Sequence, residues 1–247
     1  MAGVQRMDRV LEIGPGAGTL TMCLCEAAER VVAVEVDEAV LPFLRVATEP
    51  YKNIEIIHGD IRKMNLQAIA SILGNDFLVV ANIPYNITTP ILDLFWGTGL
   101  PVRRMAVMVQ KEVAEKMVAL PGDEAFGLTS IRCRYYCEPE ILAQVPASAF
   151  TPPPKVDSAF VALPMRAEPP LPVRDEKLLW QMVQAGFQQR RKTLTNAVRG
   201  IAQIESERLR AALEDQGLSL TVRGEALTVE AWIRLANALA APAKVEA

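Results

Sequence analysis

Residues 10–21 read VLEIGPGAGTLT, a pattern typical of the first strand, loop and helix of an α/β fold. Its first four residues have the apolar character of a buried strand, and a helical pattern begins at Thr19. Between them, Gly14, Gly16 and Gly18 form a loop in which the backbone can approach a ligand closely. The spacing is G-x-G-x-G without a following Walker lysine, which favours a ligand without phosphates over a dinucleotide.

Outward from this loop, short apolar runs alternate with amphipathic helical runs as far as residue 118. The strand patterns are rich in valine and isoleucine on both faces, as a parallel sheet covered by helices requires. The sequence therefore predicts an α/β fold with a doubly wound sheet. Two later strand patterns, Glu140–Val145 and Ser158–Leu163, have no helix between them and predict an antiparallel pair at one sheet edge.

A stiff proline-rich segment at 168–172 separates this pattern from a purely helical remainder. We predict two domains, an α/β domain over 1–168 and a small all-helical domain over 169–247. The predicted helices of the second domain are Asp175–Gln189, Thr193–Ala202, Glu205–Glu214 and Thr228–Leu239.

The sequence has 247 residues, of which 51% are hydrophobic, and a formal net charge of −3. It contains no apolar run long enough to span a membrane and no signal-peptide pattern, so we expect a cytoplasmic protein without a membrane partner. Four cysteines and the single histidine, His58, fit no zinc-ligand spacing, so we expect no metal site.

Acidic side chains follow two further strand patterns. Glu35 ends the second strand, where its carboxylate can accept hydrogen bonds from ribose hydroxyls. Asp60 ends the third strand and can accept from an adenine amino group. Because the carboxyl ends of parallel strands bind ligands together, the glycine loop and both acids predict a site for S-adenosylmethionine.

Residues 82–85 read Asn-Ile-Pro-Tyr and follow the apolar strand pattern Phe77–Ala81. The amide oxygen of Asn82 and a backbone carbonyl near Pro84 can both accept hydrogen bonds from one amino group. Tyr85 offers a flat face on which a planar base can stack. This combination predicts methylation of an exocyclic amine on a nucleobase.

With these motifs the chain resembles the ribosomal small-subunit RNA adenine dimethyltransferases of the bacterial KsgA type, which have a class I, Rossmann-like methyltransferase fold. The resemblance runs from about Val10 to Ala241. Besides the motifs already quoted, it is carried by VVAVEVD at 31–37, FTPPPKVDSAF at 150–160, FQQRRKTLTNAVRG at 187–200 and RGEALTVEAWIRLANAL at 223–239.

The resemblance implies conversion of two adjacent adenosines in the 3′-terminal loop of 16S rRNA to N6,N6-dimethyladenosine, with a role in small-subunit biogenesis. It implies a donor site whose residues are Gly14, Gly16, Glu35, Val36, Asp60, Ile61 and Asn82. It also implies a site for the target base whose residues are Asn82, Pro84, Tyr85 and Phe150.

Basic side chains are the candidates for contact with RNA. Arg190, Arg191 and Lys192 lie between two predicted helices, and Lys111 adds charge in the first domain. The acidic total argues against a nucleic-acid partner, but local charge sets phosphate contacts. We therefore expect a monomer that binds small-subunit rRNA within a pre-assembled ribosomal subunit.

The family usually carries a few dozen residues before the glycine strand, with a Gln-Asn-Phe-Leu-like motif that covers the donor. Here the first strand starts near Arg9, so we expect weaker donor binding. Three alternatives stay open: a resistance-type adenine methyltransferase of large-subunit rRNA, a mainly non-catalytic ribosome-assembly factor, and an amine methyltransferase acting on DNA or a small molecule.

Overall fold

The computed structural model describes residues 3–74, 76–84, 87–150, 153–202 and 204–241. Seven strands in these ranges form one sheet: β1 (Arg9–Ile13), β2 (Arg30–Glu35), β3 (Ile54–His58), β4 (Phe77–Asn82), β5 (Val102–Gln110), β6 (Glu140–Val145) and β7 (Ser158–Pro164). Their order is β3-β2-β1-β4-β5-β7-β6. The first five strands pair in parallel, and β7 pairs antiparallel with β5 and β6. The predicted doubly wound sheet with an antiparallel edge pair is confirmed.

The described ranges also contain ten α-helices. They are α1 (Thr19–Ala27), α2 (Leu41–Thr48), α3 (Leu66–Leu73), α4 (Thr88–Asp93), α5 (Lys111–Val118), α6 (Leu128–Tyr136), α7 (Glu176–Gln188), α8 (Leu194–Ala197), α9 (Ser206–Asp215) and α10 (Val229–Leu239). Helix α1 packs against β2 and α2, and α3 packs against β1 and β2.

Burial along the strands follows their place in the sheet. In the central strands β1, β2 and β4, nearly every residue is buried, because helices cover both faces. Strand β3 is only half-buried, since it lies at the edge of the sheet and has a neighbour on one side only. The carboxyl ends of β1 to β4 therefore meet at one rigid edge of the sheet.

One predicted helix is much shorter than its sequence pattern. The apolar periodicity predicts a helix over Thr193–Ala202, but α8 ends at Ala197. Val198 closes the helix, and Gly200 follows in an exposed turn. The backbone amide of Ile201 then donates to the carbonyl of Val198, which buries Ile201 partly in a turn rather than on a helix face.

The chain forms two compact units. The sheet unit consists of Met1–Ala114 and Cys137–Met165, and the helical unit consists of Glu115–Tyr136 and Arg166–Ala247. The predicted boundary near residue 170 lies close to the last crossing between the units. The first crossing has no proline or glycine signal in the sequence, because it falls inside α5. The second lies between Tyr136 and Cys137, at the end of α6 and shortly before Pro139.

The segment Glu115–Tyr136 falls in the helical unit because its side chains join that unit's core. The ring of Tyr135 on α6 meets Trp180 of α7 with their centroids 4.9 Å apart. Phe126 contacts Phe187 in the same edge-to-face manner, at 5.8 Å. Trp232 of α10 is fully buried in this core. Across the described ranges, no helix is both long and apolar enough to cross a membrane.

Candidate active site

The glycine loop leaves β1 in a conformation that other residues rarely adopt. Gly14, Gly16 and Gly18 have φ values of 70°, 56° and 95°. A Cβ atom at Gly14 would lie 4.0 Å from the backbone carbonyl oxygen of Asn82, so the loop runs beside the end of β4. A Cβ atom at Gly16 would meet no atom within 4 Å, so space lies open above the loop at that point.

Glu35 holds the glycine loop in place. Its Oε2 accepts a hydrogen bond from the amide of Gly16 at 3.0 Å. Its Oε1 accepts from the amides of Val36 and Asp37, both at 2.8 Å. The carboxylate is buried, whereas the Val36 side chain is 62% exposed. With three amides already bound, Glu35 keeps one free acceptor site, on Oε2, for a ligand hydroxyl.

The Asp60 carboxylate is held in place by Arg62, two residues further along the chain. Its Oδ1 accepts from the backbone amide and from Nε of Arg62, and its Oδ2 accepts from Nη2 at 2.8 Å. Hydrogen bonds from Arg62 lower the pKa of the Asp60 carboxyl to about 2, so it is ionised in the physiological range. Ile61 beside it is buried.

Asn82 ends β4 opposite Met108 of β5 and is exposed. Its side-chain amide makes no hydrogen bond to any residue that the structure describes. The carbonyl oxygen of Pro84 accepts from the amide of Ile87 at 3.0 Å, which leaves its second lone pair available. Tyr85, the predicted stacking residue, lies outside the described residues.

Phe150 follows β6 at the end of a short 3₁₀ turn and is half-buried. Strand β6 runs parallel to β4, so its end lies at the same sheet edge as Asn82. The two strands are three spacings apart in the sheet, about 14 Å. A loop that leaves β6 can cross such a distance.

Glu12 of β1 is a further candidate for this site, two residues before Gly14, and it was not among the predicted contacts. Its side chain is 1% exposed, and neither of its carboxylate oxygens has a hydrogen-bond partner in the described part of the chain. Burial raises the pKa of the Glu12 carboxyl to about 7, against the opposing effect of the nearby Thr21 hydroxyl and with a smaller contribution from the charge of Glu35. The signal in the sequence is an acid inside the apolar strand Arg9–Ile13.

Comparisons with known proteins assign the chain to a family. A profile described as "Ribosomal RNA adenine dimethylase" matches residues 2–241. The chain belongs to this family. The predicted family is therefore confirmed, as is the enzyme class, an rRNA adenine methyltransferase.

Curated bacterial members of the family match nearly the whole chain. A protein named "Ribosomal RNA small subunit methyltransferase A" from Lachnoclostridium phytofermentans is 42% identical over 241 residues, 96% of this chain and 83% of that protein. A protein of the same name from Alkaliphilus metalliredigens is 42% identical over 243 residues, 97% of this chain and 85% of that protein.

Solved structures agree with the dimethylase family. A dimethyladenosine transferase from Plasmodium falciparum has a TM-score of 0.79 and 27% identity, over 95% of this chain and 90% of that one. The 23S rRNA methyltransferase ErmE has a TM-score of 0.74 and 28% identity, over 96% of this chain and 93% of that one. The predicted class I methyltransferase fold is therefore confirmed.

The basic residues predicted to bind RNA have different surroundings. Arg190 is engaged within the protein, because its Nε donates to Glu225 at 2.9 Å and its Nη2 to the carbonyl of Phe126 at 3.3 Å. Arg191 and Lys192 are exposed. Lys111 begins α5 in the sheet unit, where its backbone amide donates to Asp157. Of the triplet, only the last two side chains are therefore available to phosphates.

Proposed function

We propose that this dimethylase-family member transfers methyl groups from S-adenosylmethionine to N6 of two adjacent adenosines in the 3′-terminal loop of 16S rRNA. The observation that carries the proposal is the proximity of two features at one sheet edge. The acceptor pair of Asn82 and Pro84 lies at the end of β4. The glycine loop runs beside it, since a Cβ atom added at Gly14 would lie 4.0 Å from the Asn82 carbonyl oxygen.

The residues of the loop fit a donor of this kind. Gly16 borders open space, and the buried Glu12 carboxyl has no partner among the described residues, as suits a site for a cationic ligand. Gly14, Gly16 and Glu35 would hold the methionine and ribose parts, and Asp60, Ile61 and Val36 the adenine end. When bound, S-adenosylmethionine supplies a methyl group on a positively charged sulfur.

Asn82 and Pro84 would orient the accepting amine. The lone pair of an adenine amino group is delocalised into the ring, which makes the nitrogen a poor nucleophile. Hydrogen bonds from this amine to the Asn82 amide oxygen and to the free lone pair of the Pro84 carbonyl favour a more tetrahedral nitrogen. Orientation of this kind lowers barriers by about 7–11 kcal/mol in well-aligned systems. Because the positive sulfur already activates the methyl group, no side chain would have to remove the proton before attack. The sulfur would leave as a neutral thioether, and the methylated amine would then lose its proton to water.

Two aromatic side chains would hold the target base outside its stack. Extrusion of a base costs about a few kcal/mol. Stacking on an aromatic side chain returns roughly 1–3 kcal/mol per base, which is the role we assign to Tyr85 and Phe150. The position of Phe150 at the same edge of the sheet as Asn82 supports this assignment.

The proposed partner is small-subunit rRNA within a pre-assembled ribosomal subunit, bound by a monomer in the cytoplasm. The relatives from Lachnoclostridium and Alkaliphilus are named for the small subunit, which favours this substrate over large-subunit rRNA. Arg191, Lys192 and Lys111 would contact its phosphates. A role in subunit biogenesis follows if the protein binds subunits before their assembly is complete.

Asn82→Ala tests the proposed chemistry. The variant should lose methyl transfer to unmethylated small subunits, because the amine loses one of its two acceptors, while S-adenosylmethionine still binds measurably. Mass spectrometry of the rRNA measures transfer, and calorimetry measures donor binding. Gln67→Ala, which removes another exposed amide from the sheet unit, is the control and should methylate normally. Near-normal methylation by Asn82→Ala would remove this residue from the mechanism.

The same assay separates the alternatives. Methylation confined to large subunits would indicate a resistance-type enzyme. Binding of small subunits by the wild-type protein without any methyl transfer would indicate a non-catalytic assembly factor. Methylation of free DNA or small amines, but not of rRNA, would indicate an amine methyltransferase that acts on DNA or a small molecule.

A further inference from the structure

The helical unit contains a polar groove that the methyl-transfer site does not use. The groove has a volume of about 440 Å³ and is lined on one side by Gln181, Gln184 and Gln188 of α7. Its other side is the segment Gly200–Ala202, which follows α8. We call it the glutamine groove. Its lining carries no charged side chain, and it lies entirely within the helical unit.

The three glutamines form one row on the helix. They are spaced three and four residues apart, so their side chains share a face of α7, and the row is about 10 Å long. All three are exposed, and their amides make no hydrogen bond to any described residue. Gln189, which follows them, differs because its amide donates to the carbonyl of Ala197. The row thus offers three donor–acceptor groups with unused capacity.

The residues next to the groove in the sequence are positively charged. Residues 189–204 contain four cations and no acid. Arg190 is bound to Glu225, whereas Arg191, Lys192 and Arg199 are exposed and have no ion-pair partner in the described part of the chain. Arg199 precedes Gly200 of the groove directly, and Arg191 follows Gln188 by three residues. The hydrogen bond from Gln189 to Ala197 holds these two segments together.

A row of uncharged amides with cations beside it is complementary to the minor groove of duplex RNA. The minor groove of an A-form helix is wide and shallow and displays 2′-hydroxyls and base edges between phosphate strands. A 2′-hydroxyl both donates and accepts, as a glutamine amide does. A lipid surface would instead require a broad apolar face. The groove's polarity and the adjoining charge therefore favour RNA.

We propose that the glutamine groove binds the minor groove of an RNA helix and recognises its 2′-hydroxyls, while Arg191, Lys192 and Arg199 contact the adjoining phosphates. This inference rests on the proposed function, because it names how the helical unit would recognise the rRNA substrate. The three glutamines would then distinguish RNA from DNA, and the three cations would supply the electrostatic part of the affinity.

The test compares the full-length wild-type chain with the triple variant Gln181→Ala, Gln184→Ala, Gln188→Ala. Alanine is the best helix former, so α7 is preserved, which circular dichroism checks. Binding is measured to a short RNA duplex and to a DNA duplex of the same sequence. Each lost amide should weaken RNA binding by about threefold to tenfold, as loss of one hydrogen bond does. Binding to DNA should stay unchanged, so the preference for RNA disappears.

The salt dependence supplies a second readout. The triple variant removes no charge, so the slope of log affinity against log salt concentration should equal that of the wild-type chain. Gly200→Asp is the second probe, because a side chain there enters open space and clashes with no neighbour. Its negative charge should weaken binding of the RNA duplex, whereas Gly200→Ala should bind as the wild type does. Gln67→Ala again serves as the control.

The outcomes separate this inference from the proposed function. If the wild-type chain prefers RNA and the triple variant still binds the RNA duplex as tightly, the inference is wrong, whether or not rRNA is methylated. If the triple variant loses the preference but the wild-type chain methylates no small-subunit rRNA, the groove binds RNA and the proposed reaction is wrong. Equal binding of RNA and DNA by the wild-type chain would also overturn the inference.

Discussion

Glu12 and Glu35 interact electrostatically, yet the surroundings of their carboxylates are opposite. Glu35 accepts three backbone amide hydrogen bonds, which compensate its burial. Glu12 has no hydrogen-bond partner in the described residues. A buried acid without donors keeps its proton to a higher pH, because ionisation would place an unsolvated charge beside a second one. The strand that ends in the glycine loop therefore contains an acid that titrates near neutrality.

Glu12→Gln should stabilise the protein increasingly as the pH rises. The folded-state pKa of Glu12, about 7, lies above the ordinary value of 4.5. The wild-type protein therefore has its full stability below pH 4.5 and loses stability as the pH rises through 7, because the unfolded chain releases this proton first. Glutamine does not titrate, so between acidic and mildly alkaline pH the variant should gain roughly 2–3 kcal/mol over the wild type.

Urea unfolding of both proteins between pH 5 and pH 8 measures this difference (with about 1.4 kcal/mol expected for each unit of pKa shift). Thr21→Val is a useful companion, because it alters the neighbouring buried hydroxyl without removing the acid. A gap between wild type and Glu12→Gln that stays constant with pH would show that Glu12 is ionised in the folded protein throughout.

In the glycine loop, Gly16 and Gly18 are both needed for the backbone conformation, but they have different surroundings. Both have positive φ, so any side chain there costs about 1–2 kcal/mol in backbone strain. At Gly18 a Cβ atom would also lie 3.0 Å from Leu44 and 3.2 Å from Ala47, both on α2. At Gly16 it would meet open space. Gly18 thus serves packing, and Gly16 borders the proposed donor.

Gly18→Ala should therefore destabilise the protein more than Gly16→Ala, by about 1–3 kcal/mol of overpacking. Gly16→Ala should instead lower the affinity for S-adenosylmethionine, because its methyl group enters the space over the loop. Thermal unfolding and calorimetric titration of both variants measure the two effects. If Gly16→Ala bound the donor as tightly as the wild type, the donor would lie elsewhere.

Most elements of the fold follow from local pattern, because strand and helix periodicities are read within about ten residues. The positions of Gly14, Glu35, Asp60 and Asn82 were predictable for a related reason, since consecutive parallel strands end at one sheet edge. The pair of Arg190 with Glu225, 35 residues apart, was not predictable, because the packing of two distant segments creates it. The end of α8 was missed because Ile201 continues the apolar period past the last helical residue.

For the whole molecule, the net charge of −3 conceals an uneven distribution. Several arginines are bound internally: Arg103 to Asp8 and Asp76, Arg134 to backbone carbonyls and Arg190 to Glu225. Such residues add to the total without offering charge to a partner. What reaches phosphates is the exposed remainder, so affinity for RNA depends on individual positions rather than on the overall charge.

Adjacent arginines should therefore behave differently when they are replaced. Arg191→Glu should weaken binding to unmethylated small subunits, and Arg191→Ala should reduce the slope of log affinity against log salt concentration by about one, the value for one phosphate contact. Arg190→Ala should leave that slope unchanged. It should instead lower the free energy of unfolding by about 1 kcal/mol, because it removes an exposed ion pair and one hydrogen bond to a carbonyl.

Sedimentation with subunits across a salt series measures the slope, and urea unfolding measures the stability. A slope reduced equally by Arg190→Ala would mean that the bond to Glu225 opens when RNA binds, and that both arginines then neutralise phosphates.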